Sequence, residues 1–553
     1  MTKPAPSVFK SLWLYPLAGS GVAFLAFRFI DLASGPTRGV TDFFSAMSAD
    51  DASRIMGGTG EVIAAILGIV ITVASIIVQL AATRYTPRIT EMFFRDRTNR
   101  TVIGVFVVSA ILSLWVNYAI RSLATAELSF VPRYGVITVL AFLTLNLLMM
   151  APYFAYVFDF LEPDKIVMRI RAAGVEEALH RSPSETEDAV DDRRMKALSA
   201  LEQLADIALN AIQQKDKGIA SYTVDSISEL VVAYMPHKGT IDQRWFSIRG
   251  RLLNDPDFVS MNEVALGRIS NDHTWLEYKA LRQFLMVFRE ALTLMPDIIN
   301  RIAIDTRYIG KAALQANDRA ALAAVIKFFN TYMRRALNAR DIPAAYNCLN
   351  QYRYLAEEIL RHGWSEEAVR VANHFKYYAL TAQTMKLAFI TETIAFDLCT
   401  LNELAYDLSA ECRDALLRVF LEVDKETEAD QQEQSLRGVR KAQVKLATYY
   451  LFKGETELAQ LIHRDMRDER RDRLRSIKQE MLGVTSNEFW EVNERGVVFE
   501  YIEPDRRACL HQFFDWFPGL DTRSAMSMNP PEPQRTTGER VSLPPPSLTK
   551  PLT

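Results

Sequence analysis

Four long stretches within the first 160 residues carry no charged side chain and are apolar almost throughout. They are bounded by charged residues at Lys10 and Arg28, Glu61 and Arg84, Arg100 and Arg121, and Arg133 and Asp159. A hydrocarbon core about 30 Å thick needs about 20 apolar residues in a helix that rises about 1.5 Å per residue. The pattern therefore predicts a transmembrane domain over residues 1–160, with spans at about residues 11–30, 62–83, 101–120 and 134–158.

A buried helix of a soluble protein is the alternative for any one of these stretches, but four in succession favour a membrane domain. The first stretch is short and is completed by Phe29 and Ile30, with Arg28 reaching the head groups. We interpret it as a retained helix and not as a signal peptide, because no small-residue cleavage pattern follows it and further spans come after it.

The pattern changes after Lys165, where charges become dense and apolar residues recur at spacings of three and four. Segments such as "ISELVVAYM" and "LRQFLMVFREALTLM" predict amphipathic helices, and together they predict a cytosolic α-helical domain over residues 161–482. Two segments resemble tetratricopeptide hairpins, the stronger at Ala447, Tyr450, Gly454 and Ala459 and the weaker at Gly363, Ala368 and Ala372. No 34-residue period is present, so we predict an irregular helical-hairpin array, a type of domain that commonly binds proteins.

The C-terminal part is predicted to contain the only β-structure. "EFWEVNERGVVFEYIE" has two β-prone runs joined by a turn at Gly496, which predicts a small β-hairpin within a cap over residues 483–518. The Pro-rich tail, residues 519–553, is predicted to be disordered. The predicted fold class is all-α, with four transmembrane helices, a cytosolic helical domain and this minor β-element.

Charge decides the expected orientation. The segment Thr83 to Arg100 holds five arginines against one Glu and one Asp, whereas the loop from Asp31 to Glu61 is mainly acidic. Because short loops rich in Lys and Arg stay on the cytoplasmic side, we predict a multi-pass protein of the bacterial inner (plasma) membrane with both termini in the cytoplasm. A nucleic-acid partner is not expected, since the net charge is −3 and no nucleic-acid-binding module is present.

The arginine-rich segment and the helix before it also carry a resemblance. The residues concerned are Ala52, Arg54, Tyr85, Pro87, Arg88, Phe93, Arg95, Asp96, Arg97, Asn99, Gly104 and Phe106. With this spacing the chain resembles a bacterial family of predicted membrane proteins, domain of unknown function 2254, over the first 235 residues. The resemblance implies a polytopic inner-membrane protein and no defined activity. We take Tyr85 to Asn99 of this set as a cytoplasmic-loop signature.

Small and polar residues form a face on each of two predicted spans. The faces comprise Gly68, Thr72, Ser75 and Gln79 on the second span, and Ser109, Ser113 and Asn117 on the third. Close helix packing explains such faces, because small residues let backbones approach and polar groups bond across the interface. A water-filled pathway within a homo-oligomer explains them as well. Apart from Arg28 near the end of the first span, the spans contain no Asp, Glu, Lys or Arg, which disfavours a proton-coupled transporter but not a passive channel.

No catalytic motif is found. The four cysteines lie far apart, and Glu177 with His180 forms a single Glu-x-x-His where a di-metal centre needs two. We therefore expect no enzyme activity, no cofactor and no metal. Two functions are retained: an oligomeric passive channel with a cytosolic helical regulatory domain, or a membrane-anchored scaffold or sensor that binds cytosolic proteins. The expected partners are the lipid bilayer, further copies of the chain and a cytosolic protein.

Overall fold

A computed structural model describes residues 47–124, 131–180, 185–424, 433–489 and 494–520, together with Ala18, Val22, Leu25 and Phe29. The chain divides into two compact units, of which the first ends at Ser435 and the second begins at Leu436. Helices dominate both units, as the sequence predicts.

Three helices of the first unit are long and apolar enough to cross a membrane: α1 (Ala49–Arg84), α3 (Arg97–Ala124) and α4 (Arg133–Phe160). Three of the four predicted spans fall within these helices. The first predicted span, residues 11–30, lies outside the described residues except for Ala18, Val22, Leu25 and Phe29, which are helical and exposed. A short amphipathic helix, α2 (Arg88–Arg95), connects α1 to α3.

Helix α1 begins well before the predicted span because its N-terminus is capped. The Ser48 side chain accepts a hydrogen bond from the Asp51 amide at 3.2 Å, and Asp50 and Asp51 lie in the first turn. A capping hydroxyl satisfies an otherwise free amide, and acidic residues in the first turn favour the helix dipole. The helix has 36 residues and is therefore about 54 Å long, which exceeds the bilayer core.

Apolar side chains hold the three long helices together. Met56 and Ile63 of α1 pack with Val116 of α3 and with Val136 and Val139 of α4 in one buried cluster. Pro152 lies inside α4, where its ring removes one backbone hydrogen bond of the helix.

After α4 the chain continues into a helical array. The helices of its first half are α5 (Pro163–Leu179), α6 (Glu187–Gln213), α7 (Lys217–Tyr234), α8 (Pro256–Val259), α9 (Glu263–Asn271), α10 (Trp275–Leu294) and α11 (Asp297–Gln315). Those of its second half are α12 (Arg319–Asn338), α13 (Ile342–Arg361), α14 (Ser365–Thr384), α15 (Ala388–Asp407) and α16 (Arg413–Leu421). Short 3₁₀ helices occur at Met235–Thr240, Gln243–Phe246 and Leu252–Asn254.

The second half of the array is regular, contrary to the irregular array predicted. Helices α12 to α15 each have 20 residues, and the second residue after each of them has a positive φ. These positions recur every 23 residues, at Asn317, Arg340, Gly363, Lys386 and Ser409. Helices α10, α12 and α14 neighbour one another in one layer, and α11, α13 and α15 in a second.

The second unit contains most of α17 (Glu433–Phe452), then α18 (Thr456–Asp465), α19 (Arg471–Gly483), a 3₁₀ turn Pro504–Arg506 and α20 (Arg507–Asp515). Gly454 has φ +84° in the turn between α17 and α18, as the predicted hairpin requires. The predicted β-hairpin is not formed as strands in the described residues, where one antiparallel bridge joins Glu488 to Val497. The predicted tail lies outside the described residues beyond Leu520.

Candidate functional site on the apolar helices and their arginine-rich loop

The polar face of α1 is exposed along its whole length. Gly68, Thr72, Ser75 and Gln79 all lie on the solvent side of this helix. Ile66, Val70, Ala74 and Val78, on the opposite side, are buried against the other apolar helices. A Cβ added to Gly68 would meet no atom within 4 Å. Packing within the described part of the chain therefore does not explain this face, and we call it the α1 stripe.

The corresponding face of α3 is buried. The Ser109 hydroxyl donates to the Val105 carbonyl at 2.7 Å and lies 3.3 Å from Asn146 Oδ1 of α4. A Cβ on Gly60 of α1 would lie 3.0 Å from the Ser113 hydroxyl, so the two helices approach closely there. Asn117 is half-buried. The face formed by Ser109, Ser113 and Asn117, which we call the α3 stripe, thus lies on a side of α3 that is buried or half-buried within the chain.

Three polar atoms of the bundle interior lack a hydrogen-bond partner among the described residues: Ser113 Oγ, Asn117 Oδ1 and Asn146 Nδ2. Asn146 was not among the predicted site residues. It is the one amide side chain between Arg133 and Asp159, and this isolation in an apolar run is the signal that could have found it. The interior of the three helices is therefore less apolar than the stretches suggest.

The loop between α1 and α3 is fixed on its inner side by hydrogen bonds from α4. The Tyr153 hydroxyl donates to Asn99 Oδ1 at 2.8 Å, and the Asn99 amide donates to the Phe93 carbonyl at 3.0 Å. The Tyr156 hydroxyl donates to Asp96. Phe93 packs edge-on against Phe160 with 5.5 Å between ring centroids.

On its outer side the loop lies on α6 of the helical array. The Asn210 amide donates to the Tyr85 carbonyl at 2.7 Å, and Gln214 donates to the Arg84 carbonyl at 3.3 Å. Arg88 donates to the Ser199 carbonyl at 3.4 Å and to the Ser199 hydroxyl. The loop and the array therefore lie on the same side of the three apolar helices.

The signature residues thus separate into two groups. Tyr85, Arg88, Phe93, Asp96 and Asn99 make the contacts that join α1, α3, α4 and α6. The others lie on the surface: Pro87 precedes α2, Arg95 pairs with Glu91 at 2.7 Å, and Arg97 is exposed.

A buried charge network extends from this loop into the array. Arg88 lies 3.9 Å from Glu202, which lies 3.1 Å from the ammonium group of Lys279. Lys279 is also 2.8 Å from Asp255 and 2.9 Å from Asp257. Burial alone would lower the pKa of Lys279, but hydrogen bonds to Asp255 and Asp257 raise it above its usual value, so the lysine stays charged.

Burial raises the pKa of Glu202, although Lys279 opposes that shift. The described residues contain no group of three His, Cys, Asp or Glu side chains that could hold a metal ion. The network therefore joins structural elements, and its chemistry is that of paired charges.

Comparison with known proteins agrees with this placement of the signature. Residues 10–219 match the family described as "Predicted membrane protein (DUF2254)". The resemblance predicted from Tyr85 to Asn99 is thereby confirmed. The family description and the three apolar helices both indicate a membrane protein.

Two further comparisons add little. One similar solved structure is described as "Circular tandem repeat protein with novel repeat topology and enhanced subunit contact surfaces"; it is 16% identical, with 59% of this chain and 80% of that chain covered and a TM-score of 0.29. At that TM-score the likeness carries no conclusion. No curated protein matches the chain.

Proposed function

We propose that the protein is a homo-oligomeric passive channel of the bacterial inner membrane, with the α1 stripe along its pathway and the helical array as a regulatory domain. The observation that carries the proposal is the position of the stripe, opposite the face by which α1 packs on α3 and α4. In the described part of a single chain the side chains of Thr72, Ser75 and Gln79 are exposed.

The chemistry of the stripe favours a partner over lipid. An amide or hydroxyl in hydrocarbon is costly without a hydrogen-bond partner, whereas a second copy brings an equivalent set of polar groups. Gly68 allows close approach of two backbones, and the Gln79 amide can replace part of the hydration shell of an ion. The absence of charged residues between Glu61 and Arg84 suits passive conduction.

The contacts of the loop give the array a means to act on α1. Asn210 of α6 and Gln214, directly after α6, donate to the carbonyls of Tyr85 and Arg84 at the C-terminal end of α1, so a movement of α6 is passed directly to the end of that helix. A ligand or protein that binds the array in one of two states would then bias the pathway.

The proposed orientation places the arginine-rich loop and both termini in the cytoplasm. Ser48 and Thr98 are both exposed and lie at opposite ends of the apolar helices. In intact spheroplasts an impermeant thiol reagent should label Ser48→Cys and leave Thr98→Cys unlabelled. Labelling of Thr98→Cys alone would invert the orientation.

Cross-linking tests the oligomer. We expect Ser75→Cys to form a disulfide between two chains when membranes are oxidised, because the stripe faces a second copy. Val70→Cys, on the buried side of the same helix, is the matched control and should stay monomeric. Cross-links at both positions, or a detergent-solubilised particle with the mass of one chain, would exclude the proposed arrangement.

Ion flux tests conduction. Liposomes that contain the wild-type chain should pass ions above the background of empty vesicles under voltage or membrane tension. The regular helices α12 to α15 favour the second candidate function, a scaffold or sensor for cytosolic proteins, because stacked helical hairpins offer long binding surfaces. A monomer or dimer that conducts nothing under any of these stimuli would leave the scaffold as the better proposal.

A further inference from the structure

A groove in the helical array lies between α9 and the layer formed by α10, α12 and α14. Its volume is about 720 Å³, a size typical of sites for small ligands. Ile269, Tyr278 and Phe328 form an apolar floor, widened by alanines of α12. Arg268, Lys327 and Arg370 stand around it as exposed cations, with Asp272 as the one acidic residue in the lining.

These three cations differ from the other cations nearby because none of them forms an ion pair within the described residues. By contrast, Arg282 lies 3.0 Å from Asp257. Lys279, one turn earlier, is surrounded by carboxylates. The groove is lined by three cations, one from each of three helices, against the one carboxylate of Asp272, so the electrostatic potential in the groove is positive. Such a groove fits an anionic group.

The rim of the groove carries apolar side chains that face outward. Val264 of α9 is 82% exposed and Val259 at the end of α8 is 60% exposed, although both are apolar. Met261 lies between them and contributes to the lining. Outward apolar residues beside basic ones are typical of segments that lie in the interface of a bilayer.

The charge network places this rim beside the membrane loop. Asp255 and Asp257, at the start of α8, bind Lys279 at 2.8 Å and 2.9 Å. Lys279 binds Glu202, and Glu202 pairs with Arg88, which lies in the loop between the two apolar helices α1 and α3. The start of α8 is thus joined by these four ionic contacts to the loop between α1 and α3.

We propose that the groove binds the phosphate group of an anionic phospholipid from the same bilayer. Arg268, Lys327 and Arg370 would contact the phosphate. Val259 and Val264 would lie at the boundary between the head groups and the acyl chains. The site requires the membrane location of the chain and is independent of ion conduction. A chain that conducts nothing can still bind the lipid.

The first test uses the full chain in nanodiscs made of phosphatidylcholine alone or of equal parts phosphatidylcholine and phosphatidylglycerol. Native mass spectrometry counts the lipids that remain bound after release. The wild type should retain phosphatidylglycerol in preference to phosphatidylcholine. The triple variant Arg268→Gln, Lys327→Gln, Arg370→Gln should lose that preference by about tenfold or more, since each cation near an anionic surface contributes about fivefold.

A matched control removes the same charge elsewhere on the array. Arg340→Gln, Arg361→Gln and Arg418→Gln change three exposed arginines that lie outside the groove lining. This variant should keep the preference of the wild type. Equal loss in both variants, or no loss in either, would overturn the proposal. If inorganic phosphate or glycerol phosphate raised the thermal midpoint in detergent as much as phosphatidylglycerol does, the groove would be a site for a soluble anion and not for a lipid.

The second test locates the rim and does not depend on the cations. A spin label at Val264→Cys, in a Cys509→Ser background because the other three cysteines are buried, reports contact with lipid or water. We expect preferential collision with oxygen, which is enriched in the bilayer, over a water-soluble nickel complex. The same label at Leu408→Cys, another exposed apolar position, should show the reverse. Water exposure at both positions would exclude the membrane contact.

Discussion

The α1 stripe and the α3 stripe have the same sequence pattern and opposite environments. Both consist of small and polar residues at spacings of three and four within an apolar stretch. Ser109 and Ser113 are buried between neighbouring helices, whereas Thr72, Ser75 and Gln79 are exposed. The pattern therefore identifies a face that is suited to close contact, but it does not identify the partner.

The position of each helix in the bundle explains the difference. Helix α3 packs against both α1 and α4, so two of its sides are occupied. Helix α1 uses one side for that bundle, through residues such as Ile63 and Val70, while its opposite side is exposed among the described residues. A polar face at the centre of a bundle serves folding, while one at its edge is available for assembly.

The largest effect is expected from enlarging a residue of the buried stripe. Ser113→Leu places a bulky side chain where Gly60 of α1 lies closest to the Ser113 hydroxyl, and overpacking of this kind costs about 1–3 kcal/mol. Thermal unfolding in detergent measures the loss. Ser75→Leu, on the exposed stripe, is the control and should leave the stability of the single chain nearly unchanged. Equal losses would show that the α1 stripe also packs within the chain.

Substitution in the loop between α1 and α3 should cause the next largest loss of stability. Asn99→Leu removes the bonds to the Tyr153 hydroxyl and the Phe93 carbonyl. The carbonyl keeps the bond from the Asp96 amide, but the buried Tyr153 hydroxyl loses its partner, which costs about 1–3 kcal/mol. The measurement is again the thermal midpoint in detergent. Thr101→Leu changes an exposed residue nearby and should have little effect. A stable Asn99→Leu variant would mean that the remaining contacts, those of Asp96 and Phe93 with α4 and those with α6, are enough to hold the loop.

The pH response should come from the array, because the three apolar helices have no ionisable groups in their central parts. Asp305 is buried beside Asp225 and Arg301. Burial, followed by the charge of Asp225, raises the pKa of Asp305 from 3.8 to about 8. Since the folded chain binds this proton more tightly than the unfolded chain, stability falls as the pH rises from about 4 to about 8.

Asp305→Asn removes that ionisation. We expect the variant to be more stable than the wild type by at least about 1 kcal/mol at pH 9 and to differ little at pH 4, as chemical denaturation at the two pH values would show. Asp297→Asn, at an exposed carboxylate of the same helix, should not alter the pH profile. An identical profile for Asp305→Asn and the wild type would contradict the assignment.

The smallest effect on stability is expected at the exposed stripe itself. Gln79→Leu should change ion flux in liposomes. Its free energy of unfolding should remain within about 0.6 kcal/mol of the wild type, the mean value for an interhelical hydrogen bond in a membrane, and its thermal midpoint and yield of oligomer should be nearly unchanged. A loss of oligomer without a specific change in flux would assign Gln79 to assembly alone.

Much of the membrane part could be predicted from the sequence. The apolar stretches predict the ends of α3 to within four residues and those of α4 to within two. Helix α1 begins earlier than predicted because its N-terminal part contains the charges Asp50, Asp51 and Glu61, which end the apolar stretch. Exposure could not be predicted, since it depends on which sides of α1 and α3 find neighbours. The contact of the loop with α6 could not be predicted either, because Asn210 and Gln214 donate to backbone carbonyls, which every residue type has.

The regular period of the array was missed for another reason. Its left-handed turn positions are occupied by Asn317, Arg340, Gly363, Lys386 and Ser409, five residue types of which only glycine and asparagine mark such turns. The Asp residues that follow two of these positions cap α12 and α13, and their side chains accept hydrogen bonds from Ala321 and Ala344 at 2.9 Å. The spacing of these turns, and not their composition, carries the repeat.

That repeat has a consequence for how the length of the chain can change. Helices α10 to α15 are joined by connections of two or three residues, which make neighbouring helices antiparallel, and the helices alternate between the two layers. Removing one 23-residue repeat would reverse every helix after it and exchange the layers, so the apolar sides would no longer meet. Removing two adjacent repeats restores both direction and layer. The length of this array can therefore change only by whole pairs of repeats.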